Sequence, residues 1–299
     1  MRHAMAALLL LPAFAACGGA DETEAAELDP VLRAAAYPVA YLAERVAGDV
    51  LAVECPVPED ADPITWQPSR DDLAAFQRAT LIVINGANFE QWPATASLPT
   101  SRLVDTSRPF EKRLLTYETL THSHGGGGEH THEGIDGHTW LDPLQAKAQA
   151  GAIRDALQRA RPDSAAEIEA NFAALAVDLD ALDARLRALG EPQLVCSHPA
   201  YNYLARRYGW EVTNFDLDPD APLSEDDLAR LAAARDASGA RVVLWESEPL
   251  PETVARLTEL SLRCVLFSPA EVQSAAQRAA GVDYLAIMQA NVQRLADAL

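Results

Sequence analysis

Short apolar runs of β-type residues alternate with helix-type stretches along nearly the whole chain, and this rhythm restricts the fold more than any other feature. In the first half, VLRAAA (31–36), DVLAVEC (49–55), TLIVIN (80–85) and SRLVD (101–105) read as strands, with VAYLAERVAG and SRDDLAAFQRA between them as helices. The second half repeats the pattern with QLVCS (193–197), WEVTNF (210–215), ARVVLW (240–245) and RCVLF (263–267). In LSEDDLARLAAARDASG, Ser224 stands as N-cap, Asp227 three residues on, and Gly239 just past the end, a helix with both boundaries marked. Strands separated by helices pair in parallel and are covered on both faces.

Between the halves lies a region with no strand signal. Asp142 is placed to cap a helix that opens with Pro143 in its first turn and runs toward Arg161. Pro162 interrupts, and a second helix begins near Asp163. Its apolar residues Ile168, Phe172, Leu175, Leu179, Leu182, Leu186 and Leu189 form one seam at helical spacing. The expectation is an α/β protein of two parallel-sheet lobes joined by a long backbone helix, with a ligand cleft between the lobes. The N-terminal lobe spans 30–142, connecting helices 143–190, and the C-terminal lobe 191–299. A length of 299 residues suits two domains, and a stiff connector implies a small closure about ligand.

The amino terminus, MRHAMAALLLLPAFAAC, has a basic start, an apolar run and a small-residue end, the pattern of a secretory signal. Phe14-Ala15-Ala16-Cys17 resembles a bacterial lipobox with Phe where Leu is usual. Residues 1–17 are thus expected to be a lipoprotein signal ending at a lipidated Cys17, the alternative being cleavage after Ala15 or Ala16 without lipid. Residues 18–29 follow as a flexible tether. This places the chain in the periplasm or at the cell surface, membrane-anchored and expected to be a monomer. A formal net charge of -20 disfavours nucleic acid as a partner, since a polyanion is repelled. Of the remaining cysteines, Cys196 and Cys264 flank apolar runs of the second half and are the expected disulfide couple in an oxidising compartment.

Residues 121–143 read THSHGGGGEHTHEGIDGHTWLDP and hold five of the seven histidines. Four glycines without an apolar anchor read as a mobile loop, 121–137. His122, His124, His130 and His132 form two HxH pairs that can share a cation, with Glu129, Glu133 and Asp136 among them. Such a loop can collect metal weakly and pass it to a fixed site. His138 differs, because the helix start after it holds its backbone, and a donor held in place spares the ordering entropy of binding.

Ligand groups in parallel sheets gather beyond the carboxyl ends of the strands. His198 follows QLVCS, Asp216 follows WEVTNF, Glu246 and Glu248 follow ARVVLW, and Glu271 comes shortly after RCVLF. An imidazole among carboxylates suits a divalent cation such as zinc or manganese. His198 alone reads equally as a ligand or as a histidine capping the next helix. Spacing positions no general base for hydrolysis.

At HTWLDP (138–143) and SHPAYNYLARRYGW (197–210) the chain resembles the zinc- and manganese-binding solute-binding lipoproteins of bacterial ABC importers. AYPVAYLAERVAGD, DADPITWQPSRDDLAAFQRATLIVINGANFEQW and WESEPLPETVARL extend the resemblance over nearly all of the mature chain. The resemblance implies two lobes with metal in the cleft and delivery to an ABC permease in the inner membrane rather than catalysis. It makes His138 and His198 metal ligands, and a histidine at 198 favours Zn2+ over Mn2+. Two ligand positions of the family are not matched here, since they fall on Ile64 and Ser268. Glu248, Glu271, a loop histidine or water are then the candidates to complete the site. A weaker, more exchangeable site would suit the alternative of an extracytoplasmic zinc buffer or metallochaperone.

Overall fold

The computed structural model describes residues 28–123 and 129–299, with side chains outside residues 117–133. The chain opens with β1 (Asp29–Ala34), α1 (Tyr37–Ala47), β2 (Ala52–Glu54), α2 (Arg70–Arg78), β3 (Ala79–Ile84) and β4 (Leu103–Asp105). An antiparallel ribbon of β5 (Thr116–Ser123) and β6 (Glu129–Ile135) follows, then α3 (Pro143–Ala160) and α4 (Ala165–Arg187). The second lobe comprises β7 (Gln193–Cys196), α5 (Asn202–Tyr208), β8 (Glu211–Asn214), α6 (Glu225–Ser238), β9 (Val242–Trp245), α7 (Pro251–Glu259), β10 (Arg263–Leu266), α8 (Ala275–Ala279) and α9 (Tyr284–Ala296).

Each lobe holds a four-stranded parallel sheet, in the orders β2-β1-β3-β4 and β10-β9-β7-β8. Numbered within its own lobe, each sheet has the same order, 2-1-3-4. The connections therefore reverse direction between β1 and β3 in one lobe and between β7 and β9 in the other. Loops part at such a reversal and leave a crevice for ligand at the carboxyl ends. His198 leaves β7 and Glu246 leaves β9, so both rise from one crevice.

Local chemistry accounts for the helix boundaries. Asp142 accepts the Leu144 amide at 2.9 Å with Pro143 in the first turn of α3. Ser224 and Asp227 form a reciprocal capping box on α6, which ends at Gly239 with φ 77°. In α4, Ile168, Leu175, Leu179, Leu182 and Leu186 are buried, as the seam predicts. At 23 residues this helix is roughly 34 Å long. It packs on α3, on α1 of the first lobe and on α9 of the second, so one hydrophobic core runs from Leu32 through Leu179 to Leu244. Two hydrogen bonds pin the lobes further. Trp140 Nε1 donates to the Pro269 carbonyl at 2.7 Å, and the Tyr284 hydroxyl donates to the Trp140 carbonyl at 2.7 Å.

Two expectations are corrected. The stretch from 121 is not a plain loop; β5 and β6 pair antiparallel, with His122 opposite His130 and Leu120 opposite His132. The Gly125–Gly128 run itself lies outside the described residues; on the two arms, Thr116, Tyr117, Thr119 and Thr121 of β5 and Thr131 of β6 favour strands. The disulfide does not form, for Cys55, Cys196 and Cys264 are free. Cys196 pairs with Leu244 and Cys264 with Val243, so β9 lies between their strands. Two strand spacings, about 9.5 Å, exceed the roughly 7 Å that a disulfide can bridge. A reducing agent is therefore expected to leave the thermal midpoint unchanged to within about 1 °C. A native bridge, worth about 2–4 kcal/mol, would instead lower it by several degrees in a calorimeter. Cys17, the leader, most of the tether and His124 lie outside the described residues. Among the described residues no helix is long and apolar enough to cross a membrane.

Candidate metal centre

His138 lies between the ribbon and α3, on a segment pressed against the first lobe. A side chain at Gly137 would meet the Phe89 Cβ at 2.8 Å and its Cα at 2.9 Å, so only glycine permits this approach. Asn85 holds the segment by donating to the Gly137 carbonyl at 2.9 Å. Asp136 is fully buried. Its Oδ1 accepts the His138 amide at 3.0 Å and lies 2.9 Å from His138 Nδ1, while its Oδ2 accepts from Asn202 of α5 at 2.9 Å. Phe89 stands edge-on to the His138 ring, with centroids 5.8 Å apart. With Nδ1 and one ring edge committed, His138 presents Nε2 to the second lobe.

His198, 3% exposed, reaches the same point from the end of β7. Its ring centroid is 5.5 Å from that of His138, the planes crossing at 80°. Its Nδ1 lies 3.6 Å from Glu246 Oε2. The carboxylate hydrogen-bonded to His138 Nδ1 is the arrangement that fixes tautomer and ring direction in imidazoles used as ligands, while Glu246 stands near His198 Nδ1 beyond hydrogen-bond distance.

Glu271 completes the group. Ala270, buried and non-glycine, has φ 59°. This left-handed residue redirects the chain between Pro269, held by Trp140, and Glu271, and strain of this kind is tolerated where a side chain must be aimed. Glu271 Oε1 lies 2.9 Å from His138 Nε2. One donor atom from each of His138, His198 and Glu271 lies within 4.8 Å of the others. Around tetrahedral zinc, donors stand about 3.3 Å apart, so a small inward movement suffices to coordinate an ion. His138 and His198 are almost inaccessible, whereas the Glu271 side chain is 19% exposed, leaving an open side for a further donor such as water.

The electrostatics favour a positive charge here. Burial pushes the His138 imidazole toward its neutral form, but hydrogen bonds and charges from Asp136 and Glu271 outweigh it and raise the pKa to about 10. Burial, with the neighbouring Glu271, raises Glu246 to about 8. Both shifts act alike on stability. His138 holds its proton more tightly folded than unfolded, so its contribution is full below pH 6.5 and is lost as pH climbs through 10. Glu246 costs stability as pH rises from 4.5 through 8, because its buried charge must then form. In a chelator, the thermal midpoint is expected to fall steadily from pH 6 to about pH 10 by scanning fluorimetry; a flat profile would refute these assignments.

The other sequence candidates sit elsewhere. Ile64 packs against the hydrophobic core, and its amide donates to Asp62 at 2.8 Å. The Ser268 hydroxyl accepts from the Ala270 amide at 3.2 Å, and Asn291 clamps both its amide and its carbonyl. Glu248 is exposed and Glu246, two residues earlier, faces His198 instead. The backbones of His122, His130 and His132 lie in the ribbon, and their side chains fall outside the described set. Sequence reading counted Asp136 only among loop acids, although its place two residues before His138 is the signal for an Nδ1 partner.

Comparison with known proteins agrees with this architecture. The family model described as zinc-uptake complex component A, periplasmic, matches residues 33–298. The zinc-binding lipoprotein AdcA of Streptococcus pneumoniae serotype 4 is 31% identical over 272 residues, covering 87% of this chain and 54% of that protein. The chain thus spans about half the length of that streptococcal relative. The high-affinity zinc uptake system protein ZnuA of Bacillus subtilis is 26% identical over 88% of this chain and 85% of its own. Among solved structures, the metal-dependent lipoprotein YcdH of Bacillus subtilis superimposes with a TM-score of 0.78 at 24% identity, covering 90% of this chain and 98% of its own. Zn(II)-bound AdcA of Streptococcus pneumoniae gives 0.75 at 25% identity, covering 91% of this chain and 57% of its own.

Proposed function

Since the chain belongs to the family of periplasmic component A of zinc-uptake complexes, we propose that it captures a divalent cation, zinc foremost, outside the cytoplasm and delivers it to the permease of an ABC importer. The observation that carries this reading is the convergence of His138, His198 and Glu271, from both lobes, on one point. Two imidazoles and a carboxylate, with water in a fourth position, suit zinc better than manganese, which prefers more oxygen donors. Glu271 supplies the carboxylate that Ser268 cannot. Capture replaces the proton that His138 shares with Glu271 by the metal, so binding releases protons and tightens as pH rises. A lipid on Cys17 would keep the protein near its permease.

Metal analysis of the purified protein tests this directly. One zinc per chain, retained against a chelating dye, is the expected outcome. Several weak sites would point to buffering, and a protein that takes up no zinc would end the proposal. Asp136→Asn should weaken zinc binding by about 10–100-fold without unfolding the chain, because His138 loses the partner that directs its ring; dye competition reads this out.

A further inference from the structure

On the face where the ribbon base, the start of α3 and helix α5 meet, a pocket of about 490 Å³ is lined by Lys112, Arg113, Leu144, Gln145, Arg206 and Arg207, with Asp142 at its edge. Four cations meet here in a chain of formal net charge -20. Arg207 is neutralised, lying 2.7 Å from Asp183 and 3.3 Å from Asp142. Among the described residues, no carboxylate lies within ion-pair distance of Lys112, Arg113 or Arg206. Arg206 is held in place by other means. It stacks over the Tyr203 ring at 5.0 Å, donates to the Arg113 carbonyl, and with the Gln145 amide oriented to serve both neighbours donates to it at 2.6 Å. Leu144, 41% exposed, is one of the few large apolar side chains left open to solvent.

We propose that this pocket docks an acidic segment of the permease, an extended loop whose carboxylates pair with Lys112, Arg113 and Arg206 while an apolar residue covers Leu144. The inference rests on the transport reading above. Charge complementarity supports it. An acidic segment is repelled by the overall negative charge of the molecule and attracted where these cations cluster, which fixes orientation as well as contact. The same net charge opposes attachment to an anionic bilayer. The position matters too, because residues of both lobes line the pocket, and hydrogen bonds connect it to His138. Tyr203, beneath Arg206, donates to the Asp136 carbonyl at 2.8 Å, and Asp136 holds His138. Asp142 and Gln145 begin the helix that follows His138. A loop seated here touches segments from both lobes.

The test is the double variant Lys112→Glu/Arg113→Glu, both residues being exposed and free of structural hydrogen bonds through their side chains. Zinc affinity of the purified variant is expected to stay within about twofold of the parent, while zinc uptake by the source bacterium carrying it in place of the parent falls at least about tenfold. Lys112→Arg should keep normal uptake, since charge is retained. Unchanged uptake in the double variant overturns the proposal, and so does loss of zinc binding in that variant. Co-sedimentation of the parent, but not the variant, with phosphatidylglycerol vesicles overturns it in favour of a lipid contact. A parent that binds no zinc defeats the transport reading itself, a separate and distinguishable result.

Discussion

Zinc affinity is expected to fall by at least about a hundredfold when His138 becomes alanine, and by a similar factor for His198→Ala. Loss of a group that merely orients a ligand weakens metal sites by about 10–100-fold, so loss of a direct donor should reach or exceed the upper end. Among the described residues, three protein donors converge, so each carries a large share of the site. Two effects must be separated in this measurement. His138 is 1% exposed and packs against Phe89 and Trp140, so the alanine also leaves a cavity at the lobe junction. The thermal midpoint in a chelator reports that cost independently of metal. Zinc stabilises a fold that binds it by mass action, so the parent should gain thermal stability on adding zinc and the variants should not. A variant that folds and still gains the same increment would remove His138 from the ligand set.

The second large effect contrasts two residues only three apart. Glu271→Ala, which removes a direct donor, should weaken zinc binding by about a hundredfold or more, whereas Ser268→Ala should change it by less than about twofold. Ser268 spends its hydroxyl on the Ala270 amide, inside the turn that aims Glu271. Its removal loosens a neutral hydrogen bond worth about 1 kcal/mol and takes no donor from the metal. Glu271→Gln is the informative companion, keeping the shape while removing the charge. Dye competition should rank the parent and Ser268→Ala together, then Glu271→Gln, then Glu271→Ala. If Ser268→Ala proved as damaging as Glu271→Ala, the carboxylate would not be the substitute donor.

These two tests mark how far the sequence could be read. His138 was legible because Asp142 and Pro143 announce a helix start immediately after it, which fixes its backbone. His198 was legible from its place at the end of an apolar strand, the position from which parallel sheets present ligands. Glu271 was visible only as one carboxylate among several beyond a strand end. Choosing it over Glu248 needed the left-handed turn at Ala270 and the hydrogen bond to His138 Nε2, and an alanine carries no local sign of a positive φ. Asp136 was hidden for the same reason, since its role depends on which way the His138 ring turns.

Periodicity and capping residues settled the alternation of strands and helices, the seam of α4 and the two-lobed class, because these follow from interactions between residues a few positions apart. Strand order was beyond them. It placed β9 between the strands of Cys196 and Cys264 and so left both thiols free, and it put His198 and Glu246 on one crevice. Whether His138 and His198, sixty residues apart, share an ion depends on how α3 and α4 dock the lobes, a packing contribution spread over many buried side chains. Short-range chemistry named the candidate donors, and only the long-range burial of the connecting helices brought them together.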